Sequence, residues 1–269
     1  MNRIAKKIGI IFTNAFFAGA ATLFVFSQQA PVLLPPAAKD TITAPLPHTV
    51  TYLALGDSYT IGQSVAVSDR FPIQAVSMLR DSGYNMAEAD IIATTGWTAG
   101  NLLQALKQRE FAASYDFVSL LIGVNDQFRG IPVERYRVEF TALLRRSIQL
   151  AGNRPDRVVV VSIPDYSVTP FAIGPIDRGK IARDINRFNK VNRDLATAFH
   201  VQYLNVTEES RRAANYSWLV ATDGLHFSRI EYRLWAEKLA GIMKRSIDEA
   251  LPATAATAYH ADKVQGKEK

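Results

Sequence analysis

The chain predicts an α/β domain, a three-layer α/β/α arrangement with a parallel sheet covered by helices on both faces. Three observations carry this. Short apolar runs alternate with longer amphipathic stretches, the element order that βαβ units produce. Some of those runs, Phe117 to Ile122 above all, are almost continuously apolar (Ser119 is the exception there), as strands buried on both faces are. Small or polar residues that can do chemistry (Ser58, Gly96, Asn125) directly follow predicted strands, where open parallel sheets gather their sites.

The first strand, Val50 to Leu55, ends in Gly56-Asp57-Ser58. Glycine permits a sharp turn and Asp or Ser can begin a helix, so this is a strand-to-helix elbow carrying a hydroxyl. Tyr59 to Phe71 has no sustained period and reads as a loop over part of the site. Pro72 opens a helix through Ser82 with Ile73, Val76 and Leu79 on one face and Gly83 at its end. Ala87 to Thr95 is the second strand and delivers Gly96-Trp97. A helix over Ala99 to Phe111 presents Leu102, Leu103 and Leu106, and the third strand, Phe117 to Ile122, delivers Gly123 and Asn125.

Pro132 starts a helix to Ala151 with Tyr136, Phe140, Leu143 and Leu144 inward and Gly152 just beyond. Arg157 to Ile163 is the fourth strand, broken by Pro164 and Thr169-Pro170. Ile181, Ile185, Phe188, Leu195 and Phe199 mark a long amphipathic helix, and Val201 to Asn205 a short fifth strand. A further helix over Thr207 to Ala214 precedes a loop with Asp223 and His226, and Ile230 to Leu251 closes the domain with Trp235, Leu239, Ile242 and Ile247 inward.

At 269 residues and 48% hydrophobic composition, one large domain with two appendages is expected, spanning 49–251. The absence of cysteine excludes disulfides, thiolate catalysis and Cys-based zinc sites. No histidine pair has metal-ligand spacing and no Gly-rich loop carries a Walker lysine, so neither metal nor cofactor is expected. The net charge of +6 invites a nucleic-acid reading, but without Arg3, Lys6 and Lys7 it leaves 28 basic residues against 25 acidic, scattered over predicted helices. Solvated faces explain that pattern better than a nucleic-acid footprint.

Residues 1–30 read as a signal peptide or an N-terminal membrane anchor. Arg3, Lys6 and Lys7 precede the largely apolar run Ile8 to Phe26, longer than the roughly 7 to 15 residues of a cleaved signal and close to the about twenty that span a bilayer. Gln28 is not the small residue an Ala-x-Ala cleavage site needs, and cleavage after Ala30 would put Pro31 first, so the reading favours a retained anchor. Basic charge before the span puts the domain outside the cytoplasm. Residues 31–48, with five prolines, form a semi-extended linker, and 252–269 a disordered tail.

Of the four histidines, His48 lies in the linker, His260 in the tail, and His200 before the fifth strand, at the wrong end of the sheet; only His226 reaches the working edge. Gly56-Asp57-Ser58, Gly123-Val124-Asn125-Asp126 and Asp223-Gly224-Leu225-His226, in this order, resemble the GDSL, or SGNH, family of serine esterases and lipases. The resemblance spans about Val50 to Leu251. It implies a flavodoxin-like five-stranded parallel sheet of order 2-1-3-4-5. It further implies Ser58 as nucleophile, Asp223 and His226 as its triad partners, and Ser58, Gly96 and Asn125 as oxyanion donors. Phe227 departs from the family's pattern, since many relatives have proline after the histidine; the change removes no functional group.

The chemistry supports these roles. A serine hydroxyl needs a base to take its proton, and the developing oxyanion needs donors aimed at it. Asp223, three residues before His226, can share one side of a turn with it and accept the imidazole's other N–H. Asp57 reads as an elbow cap ahead of a supporting role in the site, Asp126 as ordering its own loop, and Trp97 equally as pocket wall or core. The expected activity is exported hydrolysis of carboxylic esters through an acyl-enzyme. Small-acyl or lysophospholipid-type esters lead, and carbohydrate O-deacetylation is the alternative. The expected partners are a small-molecule, lipid or glycan ester and, through an uncleaved N-terminal segment, a membrane. A catalytically silent binding module is the competing class, and a binder need not keep Ser58, Asn125, Asp223 and His226 together.

Overall fold

Val50–Gly56 (β1) is an interior strand, with Leu53, Ala54 and Leu55 wholly buried. In the computed structural model, which describes residues 49–111, 113–174 and 177–250, it pairs with Met86–Ala93 (β2) on one side and Phe117–Leu121 (β3) on the other. Val158–Val161 (β4) and Gln202–Leu204 (β5) follow, so the order is β2-β1-β3-β4-β5 and every pairing is parallel. This is the expected sheet. Strand order reverses between β1 and β3, which opens a crevice beyond their carboxyl ends.

Eight helices are found among the described residues: Ser58–Ile61 (α1), Phe71–Asp81 (α2), Ala99–Lys107 (α3), Val124–Phe128 (α4), Val133–Leu150 (α5), Arg178–Ala198 (α6), Thr207–Arg211 (α7) and Arg229–Ala250 (α8). One helical layer is α2 against α8; in the other, α3 packs on α5 and α5 on α6. Local sequence explains their ends. Pro72 sits in the first turn of α2, Thr98 and Asn101 form a reciprocal capping box on α3, and the Asp177 carboxylate accepts the Lys180 N–H at the start of α6. Most of the predicted apolar stripes are buried, including Tyr136, Phe140, Leu143 and Leu144 on α5 and Trp235 and Leu239 on α8, while Ile73, Leu103 and Phe199 are only half-buried.

Several boundaries differ from the pattern. Thr94 and Thr95 lie beyond β2, and α3 stops at Lys107 because Phe111 turns away to meet Tyr115, their ring centres 6.5 Å apart. The predicted loop from Tyr59 to Phe71 contains α1 and a 3₁₀ turn, Val67–Asp69. Among the described residues no helix is long and apolar enough to cross a membrane. The expectations for 1–30, 31–48 and 252–269 fall outside the described residues.

Beneath the site, rings from four segments form one cluster. Trp235 meets Tyr59, Phe71, Phe227 and Tyr232 at centroid distances of 6.4, 6.0, 5.5 and 5.0 Å. Such pairs add about 0.5–1.5 kcal/mol each beyond area burial. The cluster joins α1 and α2 to α8 and to the loop holding His226.

Candidate active site

The elbow between β1 and α1 is a close-packed turn. A side chain at Gly56 would collide with Thr60 Oγ1 and come within 2.5 Å of Leu121 O, so only glycine lets β1 turn there. Asp57 caps α1 by accepting the Tyr59 N–H at 3.0 Å, as the sequence suggested. Ser58 follows, nearly buried at 5% exposure, and faces a cavity of about 140 Å³.

Gly96, Asn125 and His226 line the same cavity, with Phe128, Tyr166 and Phe171 on its apolar side. Asn125 follows β3, as expected, and lies in the first turn of α4, where Gly123 (φ 124°) lets β3 turn sharply. Its Nδ2 donates one N–H to Trp97 O at 2.9 Å, and the second N–H has no acceptor among the described residues. Arg129 Nη2 donates to Gly96 O at 2.7 Å, fixing the other peptide of this wall. Trp97 itself packs against the core and does not line the cavity, which decides between its two readings.

Opposite stands the Asp223–His226 loop. His226 Nδ1 lies 2.6 Å from Asp223 Oδ2, while Asp223 Oδ1 accepts the N–H groups of Leu225 (3.0 Å) and His226 (2.9 Å). Ser64 Oγ also donates to Asp223 Oδ2, at 2.6 Å. Burial pushes the Asp223 carboxyl up, but the bonds from Ser64, the His226 ring and the two N–H groups outweigh it and hold the pKa down to about 2. The carboxylate is therefore charged throughout the physiological range.

The loop is held from below. Phe227 is fully buried between Tyr59 and Trp235, and its backbone bridges Val220. The Phe227 ring thus anchors the loop through packing. The His226 ring stands edge-on to Tyr59 at 5.5 Å. No hydrogen bond joins Ser58 Oγ to His226; contacts of this kind are often long before substrate binds and tighten in the complex.

Two buried carboxyls lie behind the cavity. Burial raises Asp57 to about 8, with the Tyr59 N–H opposing and Asp126 adding to the rise, and raises Asp126 to about 6. Asp126 Oδ2 accepts the Ala99 N–H at 2.9 Å, so it ties the start of α3 to the Asn125 turn instead of ordering its own loop. His200 lies at the far end of the sheet beside Asp156 and Gln202, as expected, whereas His48 and His260 fall outside the described residues. A wider hollow of about 540 Å³ beside Arg109 and Arg146 is lined by no histidine. Among the described residues no three His, Asp or Glu side chains are grouped to hold a metal.

Sequence spacing did not point to Ser64, which lies 159 residues from Asp223, nor to Arg129 or to the aromatic wall of Phe128 and Phe171. Only the folded chain brings these residues to the site.

A model of the GDSL-like lipase/acylhydrolase family matches residues 54–234. No curated protein sequence matches the chain. Among solved structures, the lipase/acylhydrolase from Enterococcus faecalis is 21% identical, with 73% of this chain and 97% of that one covered and a TM-score of 0.58. The psychrotrophic esterase EstA from Pseudoalteromonas sp., in a structure inhibited by monoethylphosphonate, is 19% identical over 74% and 98%, with a TM-score of 0.55. The acetyl xylan esterase AlAXEase is 17% identical over 71% and 98%, with a TM-score of 0.57.

Proposed function

The chain belongs to the GDSL-like lipase/acylhydrolase family, and we propose that it hydrolyses carboxylic esters through an acyl-enzyme on Ser58. The observation that carries this reading is the Asp223–His226 pair, 2.6 Å apart, with His226 on the wall of the cavity into which Ser58 opens. His226 takes the Ser58 proton as Oγ attacks the ester carbonyl, and Asp223 balances the imidazolium charge. The oxyanion accepts from the N–H groups of Ser58 and Gly96 and from the second amide N–H of Asn125. Collapse expels the alcohol, which takes the proton from His226; a water molecule deprotonated by His226 then releases the acid and restores Ser58.

A cavity of about 140 Å³ is small beside the roughly 300–1,000 Å³ of sites that enclose drug-sized ligands. It suits a short acyl group and leaves the rest of the substrate outside, so small-acyl esters lead, and a lysophospholipid chain would lie along the open side. Glycan O-deacetylation has one observation in its favour. Phe128 and Phe171, 59% and 41% exposed with ring centres 6.2 Å apart and planes tilted by 50°, offer exposed aromatic faces beside the cavity against which a sugar ring can pack. Hydrolysis of p-nitrophenyl esters of graded chain length, run beside acetylated glycans, separates the two. Fluorophosphonate labelling at Ser58, lost in Ser58→Ala, separates a hydrolase from a silent binding module.

The same reading includes location. Arg3, Lys6 and Lys7 before the apolar run Ile8 to Phe26 support an enzyme working outside the cytoplasm and tethered through that run.

A further inference from the structure

We propose that Ser64 is a positioning residue for the acid–base side of this site, an inference that rests on the triad reading above. Its setting is unusual. Gly62 ends α1 in the left-handed region (φ 66°), and two residues later Ser64 adopts it as well (φ 69°). Glycine takes this conformation freely and serine does not. Strain kept in an exposed turn points to something gained by the side chain.

The gain is visible in its hydroxyl. Ser64 Oγ donates at 2.6 Å to Asp223 Oδ2, the same oxygen that meets His226 Nδ1 at 2.6 Å. Backbone N–H groups hold Oδ1, so with Ser64 in place both carboxylate oxygens are tied and the plane of the carboxylate is fixed. That orientation directs the imidazole. It matters here because Ser58 does not hold the ring from its other side. The Asp223 side chain is 30% exposed, so without the Ser64 hydroxyl, water competes for Oδ2.

The preceding residue reaches the other way. Gln63 Oε1 accepts from Thr95 Oγ1 at 2.7 Å, next to Gly96, while the Gln63 N–H donates to Ser58 O at 2.9 Å. Two consecutive side chains therefore strap the oxyanion wall and the acid loop to the turn that carries the nucleophile.

Ser64→Gly separates positioning from simple turn formation, because it relieves the backbone while removing the hydroxyl. With p-nitrophenyl acetate as probe, kcat should fall about tenfold, the scale of one hydrogen bond to a charged group. KM should hold, since Ser64 does not line the cavity, and Tm should hold or rise. Ser64→Asn tolerates the left-handed backbone and offers an amide N–H, so it should return kcat to within about threefold of wild type. In isotope-labelled protein the His226 Nδ1 proton should exchange with water faster in Ser64→Gly than in wild type, a readout independent of turnover. A Ser64→Gly variant with unchanged proton exchange, or with wild-type kcat, overturns the proposal, as does a loss that Asn does not repair. If wild type neither turns over the ester nor labels at Ser58, the hydrolase reading fails, and the proton exchange alone decides for Ser64.

Discussion

At the scale of single residues, the site divides into groups that act on the substrate and groups that aim them. Asn125→Ala removes one oxyanion donor and should lower kcat by about 10²- to 10³-fold with KM little changed, measured by steady-state kinetics. An unchanged kcat would remove Asn125 from the oxyanion site. Asp223→Asn and His226→Ala should not multiply: with acid and base acting as one unit, the double variant should be hardly slower than His226→Ala alone. Independent losses would break the pair that the 2.6 Å contact joins. Ser58, Gly96, Asn125, Asp223 and His226 could be singled out as candidates in the sequence because each sits in a short motif at a strand end or a tight turn, and the fold brings them together around one cavity. Ser64 was not, because its role depends on a left-handed turn and on a partner 159 residues away, and neither leaves a local signal.

At the scale of elements, the turns are more constrained than the strands they join. A methyl group at Gly123 would lie 2.6 Å from Tyr136 Oη and 2.8 Å from Ile163 Cδ1, on a backbone that side chains rarely adopt. Gly123→Ala should therefore destabilise the fold by roughly 2–4 kcal/mol, visible in a denaturant midpoint, with Asn125 displaced and activity lost in the variant that still folds. Near-wild-type stability would show that β3 and α4 can move apart. Strand positions and helix faces could be read from apolar periodicity, and strand order from the family resemblance, but α1 and α4 could be read from neither. Helices of four and five residues hold no full apolar period, and their start is set by Gly56 and Gly123.

For the whole molecule, the buried acids behind the cavity tie stability to pH. A carboxyl raised from its ordinary value to about 8, as Asp57 is, keeps its proton in the fold after the unfolded chain has lost it. Its contribution is complete below about pH 4 and falls as pH rises towards about 8, the opposite of Asp223, whose contribution is lost as pH falls towards about 2. Asp57→Asn keeps a cap without the titration, so its thermal stability relative to wild type should improve from about pH 5 to about pH 9; a constant difference would exclude Asp57 as the source. For the tether, the full chain should remain with membranes through carbonate extraction, while a form starting at Thr49 should stay in solution and equally active. A soluble mature chain beginning at or after Pro31 would establish cleavage instead. One further consequence follows from where the catalytic groups are anchored. Ser58 stands at the end of an interior strand paired on both sides, whereas Asp223 and His226 ride on a loop outside the sheet, held by the bridge to Val220, the buried Phe227 ring, the Phe171 N–H on Gly224 O and the Ser64 hydroxyl. Selection can replace Asp223 or His226 at little cost to folding while Phe227 keeps the loop in place, so a lineage with this architecture can mislay its chemistry and keep its shape.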